Sequence, residues 1–336
     1  MTRYVVIGAG AVGATTAAEL HLTGREVVLV ARGAHLAALR ETGLRYIRPD
    51  GTTTLQLPVV GEPAELELRP DDVLVLATKT QDADTALAAW AWQPVGTGVA
   101  ATELPVLTLQ NGLDSERSAL RRFSTVFGAV SWSPATHVAP GEVISPAAPI
   151  AGVFWAGKYP TGTDPRLDTI ATDFTESNLG FEIVPDIVSF KAGKLISILP
   201  NALDALYPDS PLRTRAGELV RQEAREVLAA AGIRAANVAE ESTQDLSGFV
   251  SQPIPGHERI GHSTWQSLVR GATVESEFLN GEIVLLARLH GHEAPVNAAV
   301  LARIGRAVAQ RTPARSLDDN DLVTILPELN TVPEPA

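Results

Sequence analysis

The chain has 336 residues, 45% of them hydrophobic, and a formal net charge of −12. This length and composition leave room for two domains with sizeable cores and exclude a disordered chain. The acidic balance, with no basic tract, argues against nucleic acid or an anionic membrane as the main partner, and the absence of cysteine excludes disulfides, thiolate catalysis and cysteine-based zinc sites.

The first predicted element is a strand, Tyr4-Val5-Val6-Ile7, which runs straight into Gly8-Ala9-Gly10-Ala11-Val12-Gly13 and a helix from Ala14 to Leu20. In this context G-x-G-x-x-G is the fingerprint of a dinucleotide site. Gly8 permits the tight turn, Gly10 lets backbone approach a pyrophosphate, and Gly13 lets the helix pack close to the strand. The helix N-terminus offers unpaired N–H groups and a positive dipole end to the phosphates. Residues Gly8, Ala9, Gly10, Ala11, Val12 and Gly13 are therefore candidate cofactor-binding residues. The second strand, Glu26 to Val30, ends in Ala31-Arg32-Gly33 with no carboxylate at 30–34 to accept a ribose hydroxyl. Arg32 offers a guanidinium that can fork onto a 2′-phosphate, so NADPH is the expected cofactor in preference to NADH. The alternative for Arg32 is a solvated side chain at a strand end.

A helix is predicted over 35–42, then a hairpin of 44–47 and 53–57 around Asp50-Gly51. Buried strands follow at 73–77 and 106–109, ending at Thr78-Lys79-Thr80 and Gln110-Asn111-Gly112. Ligands bind beyond the carboxyl ends of strands in such sheets, which places Lys79 and Asn111 within reach of cofactor or substrate. A helix over 167–178 and a strand at 181–184 complete an NADPH-binding Rossmann-type domain, 1–185, with the boundary at Pro185-Asp186. Beyond it the pattern is helical, with helices predicted over 189–205, 213–231, 263–271, 275–289 and 295–310. Residues 186–330 form a helical second domain, and 331–336 an expected disordered tail. The Pro- and Gly-rich stretch 251–261 reads as a mobile loop. No apolar run reaches transmembrane length, and a first strand at residue 4 leaves no room for a signal peptide, so the expected compartment is the cytoplasm. His290, His292 and Glu293 lack a second cluster at ligand spacing, so no metal is expected. His257 and His262 flank the loop and stay open as contacts to an anionic ligand.

Several separated segments together are similar to the ketopantoate reductase (2-dehydropantoate 2-reductase) family. They are Gly8–Gly13, the Arg32 strand end, Thr78-Lys79-Thr80, Leu109-Gln110-Asn111-Gly112 and Lys191-Ala-Gly-Lys194-Leu. Ser263-Thr-Trp-Gln266, Glu275-Ser-Glu-Phe-Leu-Asn280-Gly281 and His290-Gly291…Ala294-Pro295-Val296-Asn297 continue the match in order. The resemblance implies an α/β fold: a Rossmann-type doubly wound parallel sheet followed by an all-helical C-terminal domain, with the site in the cleft between them. It implies hydride transfer from NADPH to a 2-oxo acid, most simply 2-dehydropantoate going to pantoate, and a possible homodimer.

By the same resemblance Lys194 is the proton donor. Hydride addition to a carbonyl carbon develops negative charge on oxygen, which an ammonium can stabilise and protonate. Glu275 resembles the family glutamate facing the substrate, Ser263 a serine donating to the substrate carboxylate, and Asn111 an asparagine contacting cofactor. Lys79 resembles a residue that reaches cofactor or substrate. Each has a plainer alternative: a first-turn glutamate, a helix N-cap, an Asn-Gly turn and a solvated lysine. One departure stands out, because Ile198 occupies the position, one turn after the lysine, where many members have asparagine. An apolar side chain there leaves a facing polar substrate group unpaired, at a cost of about 1–3 kcal/mol. Asn201, two turns along, is a candidate substrate contact, and Ser267 stands where many members carry aspartate. The alternatives are a paralogous reductase of a less polar carbonyl compound and a catalytically silent NADPH sensor.

Overall fold

The computed structural model describes residues 2–137, 139–257 and 261–330; the tail 331–336 lies outside the described residues. The chain divides into two compact units, Met1–Phe190 with Val238–Arg259, and Lys191–Asn237 with Ile260–Ala336.

In the first unit, strands β1 (Arg3–Ile7), β2 (Glu26–Val30), β3 (Val59–Val60), β4 (Asp72–Leu76), β5 (Val106–Thr108), β6 (Val126–Trp132), β7 (Gly152–Lys158) and β8 (Leu179–Ile183) build one sheet. Their order is 3-2-1-4-5-6-7-8, and every neighbouring pair is parallel except β6 with β7. The winding reverses between β1 and β4, which is where a doubly wound sheet opens its ligand crevice. The helices α1 (Ala11–Leu22), α2 (Gly33–Thr42), α3 (Thr80–Ala91) and α4 (Pro165–Thr175) accompany it. Strand β1 is apolar throughout because both its faces are covered. Tyr4 and Val6 join Ala14, Ala17 and Ala18 of α1 in one core, while Val5 and Ile7 join Leu87 and Trp90 of α3 in another.

The predicted hairpin forms from Leu44–Arg48 and Gly51–Leu55, with Arg48 opposite Gly51. It is anchored by the buried Glu19, whose carboxylate accepts from the Tyr46 hydroxyl at 2.6 Å and Asn178 Nδ2 at 3.0 Å and pairs with Arg48 at 3.1 Å. Burial, reinforced by that carboxylate, pushes the Tyr46 phenol well above its ordinary pKa.

The domain division differs from the one read from sequence. The first unit runs on to Phe190 and takes back 238–259, placed above with the helices. Within that segment Phe249–Ser251 pairs antiparallel with Ala147–Pro149, so the loop expected over 251–261 opens on the last residue of a strand; its residues 258–260 lie outside the described residues. The Glu182 carboxylate holds the segment too, accepting from Ser242 Oγ at 2.8 Å and Thr243 Oγ1 at 2.8 Å.

Helix α5 (Ile187–Ile198) carries the chain into the second unit, followed by α6 (Asn201–Leu206), α7 (Pro211–Ala230), α8 (Ser263–Val269), α9 (Asn280–Leu289) and α10 (Pro295–Gln310). The single helix expected over 189–205 is thus two. Pro200 offers no N–H to the carbonyl of Ile196, and the break falls there. Asn280 Nδ2 reaches the Leu199 carbonyl at 3.4 Å and donates to Asn297 Oδ1 at 3.0 Å. Asn297 Nδ2 in turn donates to the Val220 carbonyl and to Glu223, whose carboxylate receives the backbone N–H groups of Val296 and Asn297, both at 2.8 Å. One largely buried polar network therefore ties α7, α9 and α10 to the Leu199 carbonyl at the point where Pro200 breaks the chain. The helix expected over 275–289 also starts late, at Asn280, after a 3-10 turn at Ser276–Phe278. No helix among the described residues is long and apolar enough to cross a membrane.

Gly193 of α5 lies so close to Ala236 that a Cβ would overlap its carbonyl oxygen. Alanine gains about 1 kcal/mol over glycine in a helix, but overpacking against a backbone atom that cannot rotate away costs about 1–3 kcal/mol or more. Gly193→Ala is expected to lower the thermal midpoint by about 2–8 °C. An unchanged or raised midpoint in calorimetry would contradict the close approach.

Candidate active site

The glycine loop forms as a dinucleotide site needs. Gly8 has φ +114°, and a Cβ on it would lie 2.7 Å from the backbone nitrogen of Thr78; a Cβ on Gly13 would overlap the Gly8 carbonyl. At Gly10, the N-cap of α1, a Cβ would meet nothing within 4 Å. The loop and the first turn of α1 carry no acid. They open onto a cavity of about 520 Å³ lined by Gly8, Ala9, Gly10, Arg32, Thr78 and Lys79, with Ala86, Ala89 and Trp90 of α3 as an apolar wall. The Thr78 hydroxyl is buried on this wall without a hydrogen-bond partner. Arg32 is the exposed N-cap of α2, and among the described residues it has no ion pair. An open glycine backbone, a helix N-terminus, an orphan hydroxyl and an uncommitted guanidinium suit the pyrophosphate and sugar of a dinucleotide. Two carboxylates share the wall, Glu62 and Asp82. Glu62 follows β3, well beyond residues 30–34, where an acid that accepts a ribose hydroxyl is expected.

Sequence reasoning also missed His35 and His137, both in the same cavity. His35 Nδ1 accepts the Gly141 N–H at 2.8 Å, so its proton sits on Nε2, which donates to the Ala9 carbonyl at 2.9 Å. The ring of His137 meets it edge-on, with centroids 4.5 Å apart. His35 thereby ties the glycine loop to the turn at 139–141. Asn111 lies outside this cavity wall; its carbonyl accepts from Thr80 Oγ1 at 3.4 Å, and Gly112 takes φ +81°, so the pair makes a turn.

The second unit has its own cavity, of about 490 Å³. Lys194, Ser197 and Ile198 of α5 and Asn201 of α6 form one wall, and Arg213, Gly217 and Arg221 of α7 face them. Lys194 and Ile198, at i and i+4, share a helix face, and Asn201 stays on the same wall despite the break. Lys194 and Ile198 are both half-buried. His262 lines the cavity and is the N-cap of α8, so the N-cap role considered for Ser263 falls to its neighbour. Ser263 is exposed, and neither it nor Glu275 is on this wall; Glu275 immediately precedes the 3-10 turn instead of opening a helix. His257 lines neither cavity.

Two family models match this chain in order: ketopantoate reductase PanE/ApbA over residues 4–160 and its C-terminal counterpart over 200–307. The chain belongs to the ketopantoate reductase family. It is 26% identical to the 2-dehydropantoate 2-reductase of Pyrococcus horikoshii over 311 residues, covering 90% of this chain and 96% of that protein. The enzyme of that name from Caulobacter vibrioides is 28% identical over 313 residues, covering 91% and 99%. Among solved structures, a PanE/ApbA family ketopantoate reductase from Ralstonia eutropha superposes with a TM-score of 0.74 at 24% identity, covering 93% and 99%. A D-mandelate dehydrogenase solved with NADH and anilino(oxo)acetate gives 0.76 at 20% identity, with the same coverage. These likenesses establish the Rossmann-type fold with a helical C-terminal part.

In this ketopantoate reductase family member, protonation of His35 would set an N–H on Nδ1 against the N–H of Gly141. Burial accordingly holds its pKa below the ordinary value, outweighing the hydrogen bond to Ala9. The unfolded chain takes that proton near about pH 6.5. The contribution of neutral His35 is therefore complete above about pH 6.5 and is lost as pH falls through the lower folded value. Between about pH 7.5 and about pH 5.5, the melting temperature of the wild type should fall further than that of His35→Gln. Equal falls would show that His35 does not sense this range.

Proposed function

We propose that the protein is an NADPH-dependent reductase of a 2-oxo acid, with 2-dehydropantoate, reduced to pantoate, as the leading substrate. The observation that carries the reading is Lys194, half-buried on a cavity wall beside Ile198 and Asn201. The family membership, the glycine loop and Arg32 support the cofactor. Gly8, Ala9, Gly10, Ala11, Val12 and Gly13 would hold the pyrophosphate through backbone N–H groups, Arg32 the 2′-phosphate and Lys79 a further oxygen, with Asn111 shaping the neighbouring turn. When bound, the cofactor supplies a hydride to the carbonyl carbon of the substrate. Lys194 stabilises the charge that develops on the carbonyl oxygen and gives it a proton from Nζ, yielding the hydroxyl. Asn201 offers hydrogen bonds to the substrate from the same wall; by the family resemblance Ser263 would donate one and Glu275 accept one from the hydroxyl being formed, both from outside that wall.

A second reading is favoured by Ile198. An isoleucine on the wall beside the proton donor suits a 2-oxo acid whose side chain is apolar at that point, so the substrate would be less polar than 2-dehydropantoate. The likeness to a D-mandelate dehydrogenase is in keeping with it.

NADPH oxidation followed by absorbance, with 2-dehydropantoate beside apolar 2-oxo acids, separates the two readings. Lys194→Ala is expected to lower kcat on the preferred substrate by about 100- to 10,000-fold with NADPH affinity unchanged. Retained turnover would remove the lysine from the proton transfer; tight NADPH binding without turnover of any 2-oxo acid would favour a sensor. Arg32→Ala should weaken NADPH by about tenfold or more and leave NADH nearly untouched. Equal losses for both cofactors, measured by fluorescence titration, would count against the 2′-phosphate assignment.

A further inference from the structure

The cavity of the second unit holds a cation that the proposed reaction does not use. Arg213 is committed: it pairs with Asp209, reaches Asp204 Oδ1 at 3.4 Å and donates to the Tyr207 carbonyl at 3.0 Å. Arg221, two turns along α7, has no hydrogen-bond or ion-pair partner among the described residues, yet it is only half-exposed. Leaving a guanidinium partly desolvated without a counter-charge is unfavourable, and an anion bound there removes the penalty.

Its position is built. Gly217, one turn earlier, leaves a notch: the place its Cβ would occupy is 3.7 Å from Arg221 Nη1 and 3.4 Å from Cβ of Pro200. The guanidinium therefore lies over the glycine, beside the α5–α6 break and in the same cavity as Lys194, Ile198 and Asn201. On the wall opposite, Ile198 cannot accept or donate, and Ser263, the serine matched to carboxylate binding, is not on the wall. Arg221 presents a planar fork of donors, the geometry that takes a carboxylate through two parallel hydrogen bonds.

We propose that Arg221 binds the substrate carboxylate, so that the site selects 2-oxo acids over neutral ketones through an arginine of α7. The inference rests on the reductase reading and deepens it. The chemistry is recognition only: Arg221 stays protonated throughout, and Lys194 remains the proton donor.

The test compares wild type, Arg221→Gln and Arg221→Lys, with melting curves to verify folding. Two readouts are used: turnover of a preferred 2-oxo acid against its methyl ester, and calorimetric binding of oxamate, a non-reducible 2-oxo acid analogue, in the presence of NADP. Arg221→Gln should raise KM for the acid by about ten- to a hundredfold with little change for the ester, and Arg221→Lys should recover part of the loss. NADPH affinity should not move. An active wild type whose Arg221→Gln variant keeps both KM and oxamate affinity overturns the Arg221 assignment and leaves the reductase reading standing. A wild type that reduces no 2-oxo acid but loses oxamate binding on Arg221→Gln overturns the reductase reading and retains the anion site. No oxamate binding to the wild type overturns the site itself.

Discussion

Close backbone approach at glycine is the constraint on which both cavities depend. In the first unit Gly8 lets the end of β1 lie against Ala77 and Thr78 at the end of β4, and Gly13 lets α1 start directly over the Gly8 carbonyl. A methyl at either position would drive the glycine loop from the strand ends and separate the residues that line the cavity. In the second unit Gly193 lies against the Ala236 backbone and Gly217 against the ring of Pro200. The residue after Gly193 is Lys194, and one turn after Gly217 is Arg221. Lys194 is thus set by a neighbouring absence of side chain, which a close-packed interior converts into position because it has no slack to absorb a displaced helix, whereas Gly217 leaves open room beside Arg221.

Local signals were legible where one stretch of chain carries the whole cause. The β1–loop–α1 unit is written in an apolar run and three glycines within ten residues. The alternation of strand and helix foretold a doubly wound sheet, since right-handed crossovers leave few ways to lay such a chain out. The misses have distant causes. His35 takes its tautomer from Ala9, 26 positions away, and Gly141, 106 positions away. The return of 238–259 rests on three residues pairing with a strand about a hundred positions earlier and on the side chain of Glu182. The late start of α9 follows from Asn280, whose amide is engaged by Leu199 and Asn297. Arg221 follows Gly217 by one turn, a spacing the sequence carries, but that this notch lies against Pro200 in the cavity of Lys194 is set by packing between separated helices.

The electrostatics follow a similar division. Although the chain is acidic, inward charges are paired: buried Asp72 with Arg3 at 2.7 Å, and half-buried Asp321 with Arg303 at 2.9 Å and with the Tyr207 hydroxyl at 2.6 Å. Such pairs add little net stability but are costly to break singly, so they hold strand and helix ends in register. Arg32 and Arg221 stand apart, since each lines a cavity and neither has an acidic partner among the described residues. An overall charge of −12 repels small anions at long range, but salt screens that field beyond about 8–10 Å. Within that distance, an unpaired guanidinium and a helix N-terminus decide what binds.

On the proposed reading, the groups that handle the reacting carbonyl and the carboxylate are separate from the group that reads the rest of the substrate. Lys194 serves the carbonyl and Arg221 the carboxylate, whatever 2-oxo acid is bound. Ile198 is left to discriminate. A substrate hydroxyl held against it goes unpaired at about 1–3 kcal/mol, whereas a methylene gains about 0.8 kcal/mol. Together these favour an apolar group at that point by about 2–4 kcal/mol, roughly 30- to 1000-fold. 2-Dehydropantoate carries both a dimethyl carbon and a terminal hydroxyl, so it fits this wall only if the methyl groups meet Ile198 and the hydroxyl turns towards a polar residue such as Asn201. That orientation, more than the presence of the proton donor, decides which 2-oxo acid the family's chemistry serves in this chain.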